Sequence, residues 1–163
     1  MATQTVRALE IAFQPQYANE SFEAASQTFK KGALLVYDSN GFLAEASADP
    51  TIVAGIALEA GHNYASATVS RKCQFMPLLP GTLVEGNWVP GATGNHTLFG
   101  TAINVRCGVI KRTTESDTPW AFDASETGTP ALFRVVGFKD ASADVNARVF
   151  AVIMATRSAW SGY

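Results

Sequence analysis

The stretch KKGALLVYDSNGFLAEASADPTIVAGIALEAGHN, residues 30–63, decides the fold. Gly32 leads into Ala33-Leu34-Leu35-Val36-Tyr37, an apolar run that stops at Asp38-Ser39-Asn40-Gly41 and resumes as Phe42-Leu43-Ala44-Glu45-Ala46. Asp and Asn stabilise tight turns through side-chain hydrogen bonds to nearby backbone, and Gly41 can take the positive φ that closes such a loop. The pattern is a β-hairpin. Ser47-Ala48-Asp49-Pro50 breaks the chain, and residues 51–58 follow as TIVAGIAL. Gly55 inside that run costs a helix about 1 kcal/mol relative to Ala. A strand buried on both faces is the reading.

The same grammar continues downstream. Phe99, Thr101, Ile103, Val105, Cys107 and Val109 alternate with Gly100, Ala102, Asn104, Arg106, Gly108 and Ile110, which places one set inward and Cys107 in the core. Residues 131–138 (ALFRVVGF) and 147–154 (ARVFAVIM) read as two closing strands joined by a turn at 139–144. The last is apolar on both faces, so it should be central or covered. Pro/Gly-rich loops at 79–81, 89–95 and 127–130 punctuate the strands, and no helix of ordinary length is required. The expected fold is all-β: a single-domain antiparallel β-barrel or sandwich, β-tulip-like, with an extended N-terminal arm. The expected division is an arm at 1–25 and a barrel at 26–163. Residues 19–31 could form a capped helix ended by Gly32, or an extended segment; the alternation at Ser26-Gln27-Thr28-Phe29 leans to extended. A short match, Ala46-Ser47-Ala48-Asp49 with Ala141-Ser142-Ala143-Asp144, is weak evidence of a repeat.

Composition bounds the function. The 163 residues are 47% hydrophobic and only 16% charged, with formal net charge −2. An isolated domain usually carries about 25% charged residues, so part of this surface is expected to be covered by protein. The basic pairs Lys30-Lys31, Arg71-Lys72 and Lys111-Arg112 are scattered, which argues against nucleic acid as a partner. No apolar run reaches the roughly 18 residues that a membrane-spanning helix needs, and the first residues lack the order of a secretory signal. No membrane partner is expected, and Cys73 and Cys107 read as free buried thiols.

Residues with catalytic potential do not assemble into a motif. His62 and His96 lie in loop-like contexts without paired ligands, so no metal is expected. Residues 91–97 (GATGNHT) lack the lysine and glycine spacing of a phosphate loop, and no Gly-x-Ser-x-Gly elbow occurs. Asp117 and Asp123 flank Trp120, which would suit a sugar site, though Pro119 and its Ser/Thr neighbours suit a turn as well. The expectation is no catalytic residue, no cofactor and no enzyme.

The hairpin of residues 32–46, the Ile-Val-Ala-Gly-Ile-Ala strand of 52–57, and the closing segments 134–140 (RVVGFKD) and 146–152 (NARVFAV) resemble small capsid decoration (cement) proteins of tailed bacteriophages. The resemblance covers about residues 28–155 at the level of pattern. It implies a β-barrel subunit that binds the major capsid protein at local symmetry axes, on the outer surface of the head, after synthesis in the host cytoplasm. It also implies a homo-oligomer, with a trimer favoured over a dimer. The candidate capsid or subunit contacts are Phe13, Tyr17 and Phe22 of the arm, with Trp88, Trp160 and Tyr163. The alternative is a carbohydrate-binding β-sandwich of a phage fibre or adhesin, stacking sugars on Trp88 or Trp120.

Overall fold

The computed structural model describes residues 6–13, 18–47, 50–66, 72–91, 93, 103–113, 119–128, 131–141 and 144–159. Among the described residues there are eleven strands: β1 (Glu10–Phe13), β2 (Asn19–Phe22), β3 (Leu34–Tyr37), β4 (Leu43–Glu45), β5 (Gly55–Ala57), β6 (Lys72–Pro77), β7 (Leu83–Val89), β8 (Arg106–Lys111), β9 (Trp120–Asp123), β10 (Phe133–Phe138) and β11 (Arg148–Ile153). A short 3-10 turn at Ala155–Arg157 follows. The all-β expectation holds.

The hairpin of β3 and β4 forms for the reason its sequence gives. The Asp38 carboxylate accepts the Asn40 and Phe42 amides at 2.8 and 2.9 Å, and Gly41 adopts φ 80°. β11 lies between β7 and β10, central in its sheet as its sequence suggests. Other segments are shorter than their apolar runs. β5 covers only Gly55–Ala57, although residues 53–57 are all buried. β8 begins at Arg106 because Asn104 turns the chain at φ 69°. Residues 99–102 lie outside the described residues.

The strands form two sheets, β2-β6-β5-β3-β4 and β1-β7-β11-β10-β8-β9. The second closes on itself, because β7 also pairs with β9 in parallel through Trp88↔Phe122 and Val89↔Asp123. In the first, a parallel bridge between Glu23 and Leu43 brings the two edges together, with the Ala24 amide donating to the Leu43 carbonyl at 2.8 Å. Antiparallel pairing therefore dominates, but both rings are drawn shut by a parallel contact.

The two five-stranded rings have the same plan. Numbered from its first strand, each runs 1-5-4-2-3. The registers agree as well. With Glu20 set equivalent to Glu85, Glu20↔Gln74 matches Glu85↔Phe150 and Ala57↔Phe75 matches Val135↔Ala151. Leu35↔Gly55 then matches Cys107↔Phe133, and Tyr37↔Leu43 matches Val109↔Phe122. The closing contacts Glu23↔Leu43 and Trp88↔Phe122 complete the circuit without a slip. Individual bonds repeat: Ala54 N to Leu35 O with Leu132 N to Cys107 O, Ala57 N to Ala33 O with Val135 N to Val105 O, and Leu78 N to Ala54 O with Met154 N to Leu132 O. Even the strained turn recurs, Gly32 at φ 85° standing where Asn104 has φ 69°. The chain is a structural repeat. The Ala-Ser-Ala-Asp match is not its trace, since one copy lies between β4 and β5 and the other between β10 and β11.

The rings are interlocked rather than strung in series. β1 pairs with β7 of the second ring, although the whole first ring intervenes in sequence. After β11, Val53 and Ser158 form a parallel bridge, and the Ser158 hydroxyl donates to the Leu78 carbonyl at 2.6 Å. Glu45 on β4 receives Trp120 Nε1 at 3.1 Å and Lys111 Nζ at 2.7 Å from the other ring. One hydrophobic cluster spans both, from Phe29, Leu34, Leu35 and Phe75 to Trp88, Phe122, Phe133 and Val149.

The described N-terminal residues, 6–13 and 18–25, are accordingly part of this body. The segment is extended, without a helix at 19–31, but β1 and β2 are ladder strands and Leu9 is almost wholly buried. A boundary at residue 25 would cut between β2 and the rest of its own sheet, so the separate arm gives way to an integral N-terminal segment.

Candidate interaction face

The chemistry-bearing residues are built into the framework. The Cys73 thiol is pushed up to about 12 by burial first and then by the nearby carboxylates of Glu59 and Glu23. Burial, aided by Asp123, also raises the Cys107 thiol. Both cysteines are free and buried, and a thiol held neutral in this way is a poor nucleophile. Trp120 is 1% exposed and Trp88 is 4% exposed, both in the core, so neither offers a face for a sugar or for a capsid contact. The tight β7–β9 and β7–β11 ladders turn these rings inward. Asp123 is also buried, its Oδ1 accepting the Gly91 and Ser125 amides at 3.0 and 2.8 Å. It shapes a turn; Asp117 lies outside the described residues, as does His96.

His62 is held by Glu23. This carboxylate is fully buried beside the ring-closing bridge, and accepts the His62 amide through Oε1 and Nδ1 through Oε2, both at 2.8 Å. With an ionised carboxylate, Nδ1 is the donor of that bond. The imidazole stacks on Tyr64 with centroids 5.2 Å apart, and Nε2 lies 4.0 Å from Glu59 Oε2. Among the described residues no group of three or more His, Cys, Asp or Glu could hold a metal ion. No helix among them is long and apolar enough to cross a membrane.

Of the aromatic candidates, Phe22 is half-buried on β2 with Lys72 Nζ 5.8 Å from its ring centroid. Phe13 lies on β1 with its backbone opposite Leu83. Tyr17, Trp160 and Tyr163 lie outside the described residues. The structure places Phe22 on the first ring and Trp88 in the core of the second.

What the structure does gather is an apolar strip on the outside of the second ring, interrupted by Arg134 beside Val152 and by Glu85 beside Phe150. Partners across a ladder share a sheet face, so Leu83 stands beside Val152, and Phe150 beside Gly137. A Cβ added to Gly137 would sit 3.6 Å from the Phe150 ring, so that ring lies over the glycine. Val136, lifted by the irregularity between Val135 and Gly137, is 46% exposed, and Ile103 is 43% exposed. The Asn104 amide donates to the Val135 carbonyl at 2.8 Å, which brings Ile103 alongside Val136. Leu83, Phe150 and Val152 are half-buried, although no described strand lies on their outer side.

Arg134, with Arg106 opposite it, hydrogen-bonds the Asn104 side chain at 3.3 Å, and the remaining charges pair with one another along the strip. Arg148 grips Asp140 through Nε and Nη2, both at 2.9 Å, and reaches Glu85 at 3.3 Å; Lys139 Nζ also binds Glu85. Hydrogen bonding from Arg148 holds the Asp140 carboxyl below its ordinary value. Sequence reading flagged the two-faced apolar character of β11, but not this strip, because the bulge that lifts Val136 has no signature in the residues themselves. Comparison with known proteins finds no matching family model, no similar curated protein and no similar solved structure.

Proposed function

We propose that this chain is a structural, non-catalytic protein that decorates the outside of a tailed-phage head, laying the apolar strip of its second ring on the major capsid protein. The observation that carries the reading is the apolar patch of Val136, Phe150, Val152, Leu83 and Ile103, in which Glu85 is paired with Lys139 and Arg148, and Arg134 lies beside Val152. Such a face suits a protein surface, and Arg106 and Arg134 alone fall short of the clustered cations that a polyanion requires. Covering a side chain completely contributes about 1.5–3 kcal/mol, and these are already half covered, so a single copy gains only a few kcal/mol. Repetition on a lattice, and assembly of the protein into a homo-oligomer with a trimer favoured over a dimer, supply the remainder through effective concentration. The hairpin of residues 32–46 and the closing strands, which resemble phage cement proteins, point the same way.

The test is co-sedimentation with purified heads lacking the protein, followed by cryo-electron microscopy. Val136→Glu changes an exposed position and should leave the melting temperature within a few degrees. Binding to heads should fall at least about tenfold, since it sets a charge in an apolar contact. Heads that retain neither form, or both equally, overturn the reading.

A further inference from the structure

The repeat exposes a difference between the two rings. In the second, β1 lies against β7 just ahead of the stretch that pairs with β9, with Glu10↔Glu85, Ile11↔Val84 and Phe13↔Leu83. The equivalent positions in the first ring are Glu20, Asn19 and Ala18. Among the described residues β2 pairs along one side with β6 and touches β4 only beyond its end, at Glu23. The burial follows: Val84 and Glu85 are buried, whereas Ala18, Asn19 and Glu20 are exposed. The free side carries backbone groups with a known direction. Ala24 donates toward β4, so by the alternation of a strand Glu20 and Ala18 aim their N–H and C=O groups to that same side, away from β6. The same count in the second ring starts from Val89, whose carbonyl accepts the Ala124 amide, and assigns Glu85 and Leu83 to β1.

We propose that the open edge of β2 at Ala18–Glu20 is a strand-accepting slot, filled in the assembled particle by an extended segment of the shell protein running antiparallel to β2. The chemistry of the occupant is read from β1, whose sequence Glu-Ile-Ala-Phe fills the equivalent edge: a short extended peptide with apolar residues around a small one. Backbone hydrogen bonds bind it and the alternate side chains select it. Glu20 already has Lys72 at 3.7 Å, so its charge does not call for a basic peptide. The occupant's identity rests on the decoration reading; the slot itself does not.

Three measurements on the full chain decide it. In free protein, the amides of Ala18 and Glu20 should exchange rapidly with solvent while those of Leu83 and Glu85 are protected. Slow exchange at Ala18 and Glu20 means the chain covers its own edge and overturns the proposal. A synthetic peptide of residues 8–14, used as the probe, should shift the backbone resonances of residues 18–21, with a Kd on the order of 1 mM for so short a ladder. Glu20→Pro removes an outward amide and leaves the β6 side intact, so it should weaken the peptide about tenfold or more. No shift with the peptide, or the same shift in the variant, overturns the slot. Heads that bind no form of the protein sink the decoration reading, whereas heads that bind wild type and Glu20→Pro alike sink only the slot's role there. A dimer that Glu20→Pro dissociates identifies a second copy as the occupant and overturns the shell assignment.

Discussion

Replacing Glu23 by Ala tests how the first ring is held shut. The carboxylate is fully buried and accepts two hydrogen bonds from His62, one from the amide and one from Nδ1, each 2.8 Å long. Hydrogen bonds to a charged group contribute about 1.5–3 kcal/mol each. The His62 side chain is 35% exposed, so its ring regains water when the partner is lost, and that half is discounted. Relief from burying a charge offsets part of the remainder, while the cavity left by the side chain adds to it. The expected net loss is about 2–3 kcal/mol, or about 5–10 °C in Tm for a chain of this size. Glu23→Gln refines the argument. Its carbonyl can accept the His62 amide, while its NH2 requires Nδ1 as acceptor, which moves the ring proton to Nε2, facing Glu59. Gln should therefore cost less than half as much as Ala. Thermal unfolding followed by circular dichroism measures both, and exchange of the His62 amide reports the latch directly. An Ala variant that melts within about 2 °C of wild type, or a Gln variant as damaging as Ala, refutes the reasoning.

Three further outcomes are expected. Gly86→Ala places a Cβ on the Leu9 side chain and 2.9 Å from the buried Phe122 ring, so it should destabilise by about 1–3 kcal/mol in urea unfolding. Because Arg148 lowers the Asp140 carboxyl below its unfolded value, the pair stabilises the fold above the ordinary carboxylate range, and that contribution is lost as pH falls through the folded value. Asp140→Asn should thus cost about 1–2 kcal/mol near neutrality and little near pH 2, by urea titration at each pH. Cys73 and Cys107 should resist a thiol reagent in native protein and both react once it is unfolded, their thiols being buried and shifted upward.

Local patterns carried far in this chain, and long-range partners did not. Asp38, Asn40 and Gly41 encode the hairpin through contacts within a few residues, and Cys107 and Val109 point inward as their alternation requires. β7 and β9 are different. Glu85, Asn87 and Asp123 interrupt the apolar pattern, so LVEGNWV and WAFD do not read as buried strands. Their burial is made tolerable by remote groups: Asn87 receives the Arg7 amide and donates to the Asn146 carbonyl, and Glu85 receives Lys139 and Arg148. β1 and β2 looked like a docking arm because their partners stand 50 or more positions away, as Glu20↔Gln74 and Glu10↔Glu85 show. The repeat was hidden for a related reason. Backbone ladders preserve register whatever the side chains, and equivalent positions share little beyond Glu20 with Glu85 and Lys72 with Arg148. Of the interaction strip, only the apolar outer face of β11 could be anticipated. The rest depends on a ladder irregularity.

The interlocking of the rings also bears on how the polypeptide matures. As it leaves the ribosome, β1 emerges first yet must wait until β7, some 70 positions later, is available. The intervening ring is already contiguous and can collapse in the meantime. The clasp between Val53 and Ser158 forms only when nearly everything described here has been synthesised. Native β1–β7 pairing is therefore a late event with a large loop to close, and slow acquisition of the final state is the consequence. A nascent chain stalled after β6 would carry a compacted ring and an orphaned leading strand, available in that interval for pairing with a neighbour on the same polysome.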